Sequence, residues 1–219
     1  MKNYIYLHIC CINNWKDILN NLLFKIKDSG LYDKIDEIRC CILGNYDNYE
    51  LLNDPKIKII DTSDNINIYE CFTLDHLYDD SKLEDFNVLY IHTKGLKHNG
   101  QNLNVLDWVE YMCYFNIYKY DICINLLNNY DTVGVNMQYA DKKFLHYSGN
   151  YWWTKSSYIK KQEKCVYDCY NAPEFWINLK KNGNYVSLWK SNISNHYTER
   201  YSSINYINKN INAEIFKFD

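Results

Sequence analysis

Apolar and polar positions along this chain fall into short blocks, and the period changes from one block to the next. Tyr4–Cys11 is a near-continuous apolar run of strand length. Trp15–Lys27 carries Ile18, Leu19, Leu22, Leu23 and Ile26 at the spacing of one helix face. Glu37–Leu43 reads as a second strand ending at Gly44-Asn45, and Lys56–Ile60 as a third ending at Asp61-Thr62. Ile68–Tyr78 has helical spacing, and Phe86–Ile91 is a fourth apolar strand. Short strands alternating with helices predict an α/β fold with a mostly parallel, Rossmann-type sheet and helices on both faces.

The pattern changes after residue 100. Leu96–Asn104 is a polar loop, Val105–Tyr118 and Asp121–Asn129 read as helices, and Thr132–Met137 as a strand. Phe144–Trp153 is aromatic and predicted extended; Ser156–Tyr170 and Pro173–Lys181 are predicted helical, with Pro173 at a first helical position. Tyr185–Trp189 is a last strand, and the tail from Asn192 has no clear period. No linker, repeat or composition break divides the chain, so 1–219 is expected to be a single domain. Its pattern reads as a regular nucleotide-fold half (about 1–100), an aromatic half (about 101–190) and a tail (191–219).

Composition narrows the function. The chain has 219 residues, 47% of them hydrophobic, enough for a sizeable core. The net charge is −3 and no Lys/Arg block occurs, which argues against nucleic acid or an anionic membrane as partner. No apolar run of about eighteen residues suggests a transmembrane helix, and the start reads as a core strand and not a signal peptide. Nine cysteines lie mostly in apolar runs, with no Cys-x-x-Cys pair. This predicts reduced, buried thiols in a reducing, cytoplasmic compartment, where the sequon Asn192-Ile193-Ser194 would have no meaning. Abundant Asn, Ile, Lys and Tyr beside 2 Pro and 7 Gly suggest an AT-rich genome.

Two segments carry candidate chemistry. Phe86–Ile91 runs directly into His92-Thr93-Lys94-Gly95, an imidazole, a hydroxyl, an ammonium and a flexible joint at a strand end. In open α/β sheets ligands bind outside the carboxyl ends of strands. The competing reading is a plain strand exit with a solvated Lys. Lys97 and His98 adjoin the tetrad, and Glu70 and Thr73 lie one turn apart on the preceding helix. The second segment is Ser148-Gly149-Asn150-Tyr151-Trp152-Trp153. Gly149 permits close backbone approach, Asn150 offers donor and acceptor, and Trp152 and Trp153 point to opposite faces if extended. At least one of the two tryptophans is expected in the core. Glu174 opens a helix, where the dipole favours it; it also suits a general base facing a cleft.

Together these segments resemble a family of GT-A-type glycosyltransferases found in bacterial polysaccharide clusters, often beside rhamnan-synthesis proteins, and in large DNA viruses. The matching residues are His92–Gly95, Asp107-Trp108, Ser148–Trp153 and Ser157-Tyr158-Ile159, with Tyr69-Glu70, Thr73-Leu74 and Pro173–Trp176 also in family-like positions. The resemblance spans roughly residues 1–190, and the AT-rich composition would suit a giant virus, hence host cytoplasm. It implies a nucleotide-sugar-dependent, hexosyltransferase-like enzyme that transfers a sugar to a glycan hydroxyl. Most GT-A enzymes carry Asp-x-Asp at the end of the fourth strand to hold a divalent metal. His92-Thr93-Lys94 occupies that place here, so weak or no dependence on Mn or Mg is expected. An alternative keeps a metal on His92 together with a residue elsewhere, such as His196.

The donor is then expected to lie against His8, Cys10, Asn45, Asp61, Glu70, Thr73, His92, Thr93, Lys94 and Gly95. Gly149, Asn150, Trp152 and Trp153 would shape the sugar and acceptor site, and Glu174 would act as base in an inverting reaction. Two other readings stand beside this one. One is a non-catalytic carbohydrate- or nucleotide-binding protein on a degenerate transferase fold. The other is a nucleotidyltransferase, against which the absence of a Gly-rich phosphate loop counts.

Overall fold

A computed structural model describes residues 1–47 and 49–218. The first half alternates β1 (Lys2–Cys10), α1 (Trp15–Asp28), β2 (Glu37–Leu43), β3 (Ile57–Ser63), α2 (Cys71–Ser81) and β4 (Phe86–His92). Then come α3 (Leu103–Cys113), a π turn at Tyr114–Tyr118, α4 (Tyr120–Leu126), β5 (Thr132–Gly134), β6 (Met137–Ala140), β7 (Phe144–Tyr147) and β8 (Trp152–Lys155). The chain finishes with α5 (Ser156–Ile159), α6 (Ala172–Trp176), β9 (Asn184–Ser187) and β10 (Glu214–Lys217).

Eight strands form one sheet in the order β10-β9-β5-β8-β4-β1-β2-β3, and β6 and β7 form a separate hairpin. β1 pairs in parallel with both β2 and β4, β2 with β3, and β5 with β9; β8 runs antiparallel between β4 and β5, and β10 antiparallel to β9. The fold is therefore α/β with a mostly parallel sheet, as the sequence pattern predicts. Alternation along β1 supplies two cores: Ile5, Leu7 and Ile9 face α1 and α3, while Tyr4 and Tyr6 face α2. The chain builds β2 and β3 on one side of β1, then crosses to place β4 on the other. That reversal opens a crevice at the carboxyl ends of β1 and β4.

Several sequence expectations are corrected. The predicted helix 156–170 stops at Ile159, because tertiary partners take over the backbone groups beyond it. The Asp75 carboxylate accepts the Cys165 N–H at 2.8 Å, and the Trp176 indole donates to the Glu163 carbonyl at 2.7 Å. The extended run Phe144–Trp153 breaks at Gly149 and Asn150, whose φ values are 92° and 60°. The segment Thr132–Met137 breaks at Asn136, with φ 54°. The unpatterned tail supplies the edge strand β10. The thiols are not all reduced: Cys71 and Cys165, 94 residues apart, form a disulfide with a Cα–Cα distance of 5.2 Å. Cys10, Cys11, Cys40, Cys41, Cys113, Cys123 and Cys169 are free. Among the described residues no helix is long and apolar enough to cross a membrane.

Arg39 anchors the sheet face beneath α2. Its guanidinium reaches Glu37, Asp80 and Glu84 at 2.9, 2.9 and 2.7 Å and lies 3.9 Å from the centre of the Tyr4 ring. Burial opposes ionisation of Glu84, but hydrogen bonds from Lys2 and Arg39 outweigh it and hold the carboxyl down to about 2 from its ordinary 4.5. Because the folded value is depressed, this stabilisation is complete above the ordinary value and is lost as pH falls towards 2. Denaturant titrations between those limits should show a shallower loss of stability for Glu84→Gln than for the wild type; equal slopes would exclude Glu84 as the cause.

Candidate functional site

A cavity of about 280 Å³ opens at the crevice between β1 and β4. The register pairs His8 of β1 with His92 of β4. The Thr93 N–H donates to the His8 carbonyl at 3.0 Å, and the Thr93 hydroxyl accepts the Cys10 N–H at 3.1 Å. The tetrad thus begins while still hydrogen-bonded to β1. Gly95 then turns the chain at φ 96°, and a Cβ there would sit 3.2 Å from Val105, so a side chain is strained on both counts. The turn leaves Lys94, Lys97 and His98 on the cavity wall. The Lys94 ammonium lies 4.0 Å from the centre of the Trp108 ring, and among the described residues it has no carboxylate partner.

The opposite wall is a network centred on Glu70. Its carboxylate accepts the Tyr90 hydroxyl at 2.9 Å and the Asn150 amide at 2.6 Å. The Asn150 carbonyl oxygen in turn accepts the Trp152 indole N–H at 2.7 Å. Asn150 sits at φ 60°, a region Asn tolerates better than bulkier residues do. The neighbouring Gly149 N–H donates to Glu174 Oε1 at 2.7 Å, which aims that carboxylate along the cavity. A Cβ at Gly149, φ 92°, would lie 2.3 Å from Met112 Sδ.

His8 and His92 are neutral at physiological pH. Burial lowers His8 to about 4; burial and then the nearby Lys94 lower His92 to about 3. His92 Nε2 faces the Gly149 carbonyl at 3.1 Å and therefore carries the proton. Nδ1 lies 3.4 Å from Glu70 Oε1, so this contact joins two acceptors and is not an ion pair at neutral pH. Two adjacent acceptors on a cavity wall suit a hydroxyl donor. His8 Nδ1 is engaged by the Thr73 hydroxyl at 2.7 Å.

The cavity lining includes His8, Cys10, Glu70, His92, Thr93, Lys94, Gly95, Asn150 and Glu174 of the residues expected from sequence. Thr73 is wholly buried behind His8. Gly149 reaches the site only through its backbone. Asn45 and Asp61 lie outside the cavity at the ends of β2 and β3; Asp61 meets His76 at 3.1 Å, and Asn45 accepts the Asp47 N–H. Trp152 and Trp153 do not touch the cavity. Both have no exposed surface, and they enter opposite cores, because a strand in mid-sheet is covered on both faces. Trp152 acts on the site through Asn150, while the Trp153 indole donates to the Asn116 carbonyl in the π turn. His196 stacks on Trp108 and engages Ser191. No group of three or more His, Cys, Asp or Glu side chains able to hold a metal occurs among the described residues.

Sequence periodicity offered no signal for Asn67, Tyr170 and Tyr197, which line the cavity from a 3-10 turn, an irregular segment and the tail. Tyr69, which also lines it, carried only the family-like position beside Glu70. The Asp107-Trp108 pair has a structural explanation: Asp107 takes Arg200 at 2.9 Å, tying the tail to α3, and Trp108 underlies Lys94.

No family model matches the chain, and no curated protein matches it. Among solved structures, a protein of Desulfovibrio desulfuricans G20 provisionally named a nucleotide-diphospho-sugar transferase shares 9% identity with it, over 74% of this chain and 69% of that one, with a TM-score of 0.38. The likeness is distant, and the chemistry of the site rests on its own geometry.

Glu70→Gln should destabilise the fold by about 1–3 kcal/mol, because the new amide places a donor against the Asn150 N–H groups or the Tyr90 hydroxyl. Chemical denaturation measures this, and an unchanged midpoint would show that the network is not held by the carboxylate.

Proposed function

We propose that this chain is a glycosyltransferase that moves a sugar from a nucleotide-sugar donor to a glycan hydroxyl. The observation that carries the reading is the cavity at the β1/β4 reversal, with the Lys94 ammonium held over the Trp108 ring and free of carboxylates. A cation resting on a π face is poised to exchange that weak contact for a phosphate oxygen. Lys94, with Lys97 and His98 beside it, would neutralise the donor diphosphate in place of a divalent metal. His8, Cys10 and Thr93 would lie beneath it, and a nucleoside extending past the cavity would approach Asn45 and Asp61.

The sugar end would lie towards Asn150 and Glu174. The Asn150 amide is engaged by Glu70, Pro173 and Trp152, so it shapes the wall and leaves hydroxyl recognition to the His92–Glu70 acceptor pair. Glu174 keeps one oxygen on the Gly149 N–H and presents the other, which has no hydrogen-bond partner among the described residues. As a base it would take the acceptor hydroxyl proton while the oxygen attacks the anomeric carbon from the face opposite the nucleoside diphosphate, which leaves with inversion. A non-catalytic binding protein remains the second reading, favoured by the lack of a carboxylate pair at the end of β4.

Calorimetry with nucleoside diphosphates should detect binding that weakens about tenfold in Lys94→Ala, the scale of one charge-assisted contact. Unchanged affinity would remove Lys94 from the diphosphate site, and no binding of any nucleotide would favour the second reading. With a productive donor and acceptor, Glu174→Gln should lower kcat about a hundredfold or more with little change in donor KM. Near-normal turnover would overturn its role as base. Chelation by EDTA should leave turnover unchanged, and its loss would restore a metal to the mechanism.

A further inference from the structure

The segment 160–171 forms no helix or strand; its end, Tyr170 and Asn171, lines the cavity, and five ties hold the segment to α2 and the residues just before it. Cys165 is bridged to Cys71 in the first turn of α2. The Cys165 N–H donates to Asp75 at 2.8 Å, and Lys164 meets Asp79 at 2.7 Å. The Tyr167 ring stacks on Tyr69 with centres 4.8 Å apart, and Tyr170 stands edge-on to the same ring at 5.7 Å. Tyr69 and Tyr170 both line the cavity, and Tyr170 accepts a hydrogen bond from Lys97 across it at 2.8 Å.

Tyr69 has φ 48° and ψ −154°, a backbone region left almost entirely to glycine. A bulky residue persists there only when its surroundings over-determine it. Those surroundings are the Tyr167 stack on one side and, two residues along the chain, the bridged Cys71. Between them stands Glu70, which holds Tyr90 and Asn150. The Lys164–Asp79 pair is half exposed and contributes little by itself. The covalent tie is therefore the constraint that joins the strap to the strained residue and to the carboxylate network.

We propose that the Cys71–Cys165 disulfide is a redox latch on the cavity. Closed, it holds the strap 160–171, with Tyr167 and Tyr170, against Tyr69 and the start of α2. Opened by a dithiol, it frees the strap, and the cavity loses the part of its wall that Tyr170 and Asn171 supply. Only the identity of what the wall encloses rests on the glycosyltransferase reading. Cys165 is 8% exposed against 5% for Cys71, and it lines a separate cavity of about 320 Å³ together with the exposed Cys169. A reductant thiolate attacks the Cys165 sulfur and displaces the Cys71 thiolate. The second thiol of the reductant, deprotonated, then attacks the reductant's own sulfur in that mixed disulfide and releases Cys165. The two cysteine thiolates take up two protons, and the reductant leaves as its cyclic disulfide, having given up two electrons.

The test uses the whole chain with Cys169→Ser, so that the exposed thiol does not reshuffle the bridge. It compares the air-oxidised protein, the same protein in dithiothreitol, and a Cys71→Ser/Cys165→Ser variant. Amide hydrogen exchange at residues 69–71 and 160–171 should accelerate about tenfold or more in the last two forms, with β1 and β4 unchanged. Nucleoside diphosphates should bind these forms about tenfold more weakly. Unchanged exchange, acceleration spread equally over β1 and β4, or free thiols at both positions in the air-oxidised protein would overturn the latch. Equal nucleotide affinity in all forms would also overturn it, while upholding the functional reading. Local acceleration with no nucleotide bound by any form would uphold the latch and sink that reading.

Discussion

The Glu70 carboxylate is the joint on which the site depends. It stands just before α2, takes the Tyr90 hydroxyl from β4, and takes the Asn150 amide from the turn leading into β8. Those three segments are distant in sequence, and both bonds fall on one oxygen, Oε2, of a partly buried carboxylate that needs such donors. Making them fixes the turn at Asn150 in a left-handed conformation. That in turn points the Gly149 N–H at Glu174 and the Gly149 carbonyl at His92. One carboxylate thus sets the relative placement of both walls of the cavity.

This network separates side chains that build the cavity from those left to meet a ligand. Glu70 Oε2, Asn150, His8 and Thr73 are engaged with each other and with the core, while Glu70 Oε1 is left to the acceptor pair with His92. Lys94 has only aromatic faces beside it, and Glu174 holds one oxygen back. The charge distribution follows: an ammonium on the tetrad side, carboxylates on the opposite side, and two imidazoles kept neutral by burial between them. That gradient suits a ligand with an anionic middle and a hydroxylated end.

The aromatic richness of the second half mostly serves packing. Trp152, Trp153, Tyr147, Tyr158 and Tyr185 are fully buried, and truncating either tryptophan to alanine would cost about 3–5 kcal/mol. The aromatic rings that border the cavity are Tyr69, Tyr170 and Tyr197, none of them in a strand or a helix. Residue type alone did not separate these two groups; coverage on both sheet faces did.

By itself the amino-acid sequence determined the α/β class, the four leading strands within a few residues, and the position of His92–Gly95 at a strand end. These depend on local period and on polar residues that stop an apolar run, both of which act over a few neighbours. The tertiary structure decided the rest. It ended the helix at Ile159, because partners on α2 and α6 replaced its backbone hydrogen bonds. It buried both tryptophans, because β8 lies mid-sheet. It joined Cys71 to Cys165 and brought Tyr197 from the tail to the cavity. Each of these outcomes depends on groups far apart along the chain, and no local period encodes which of them will meet.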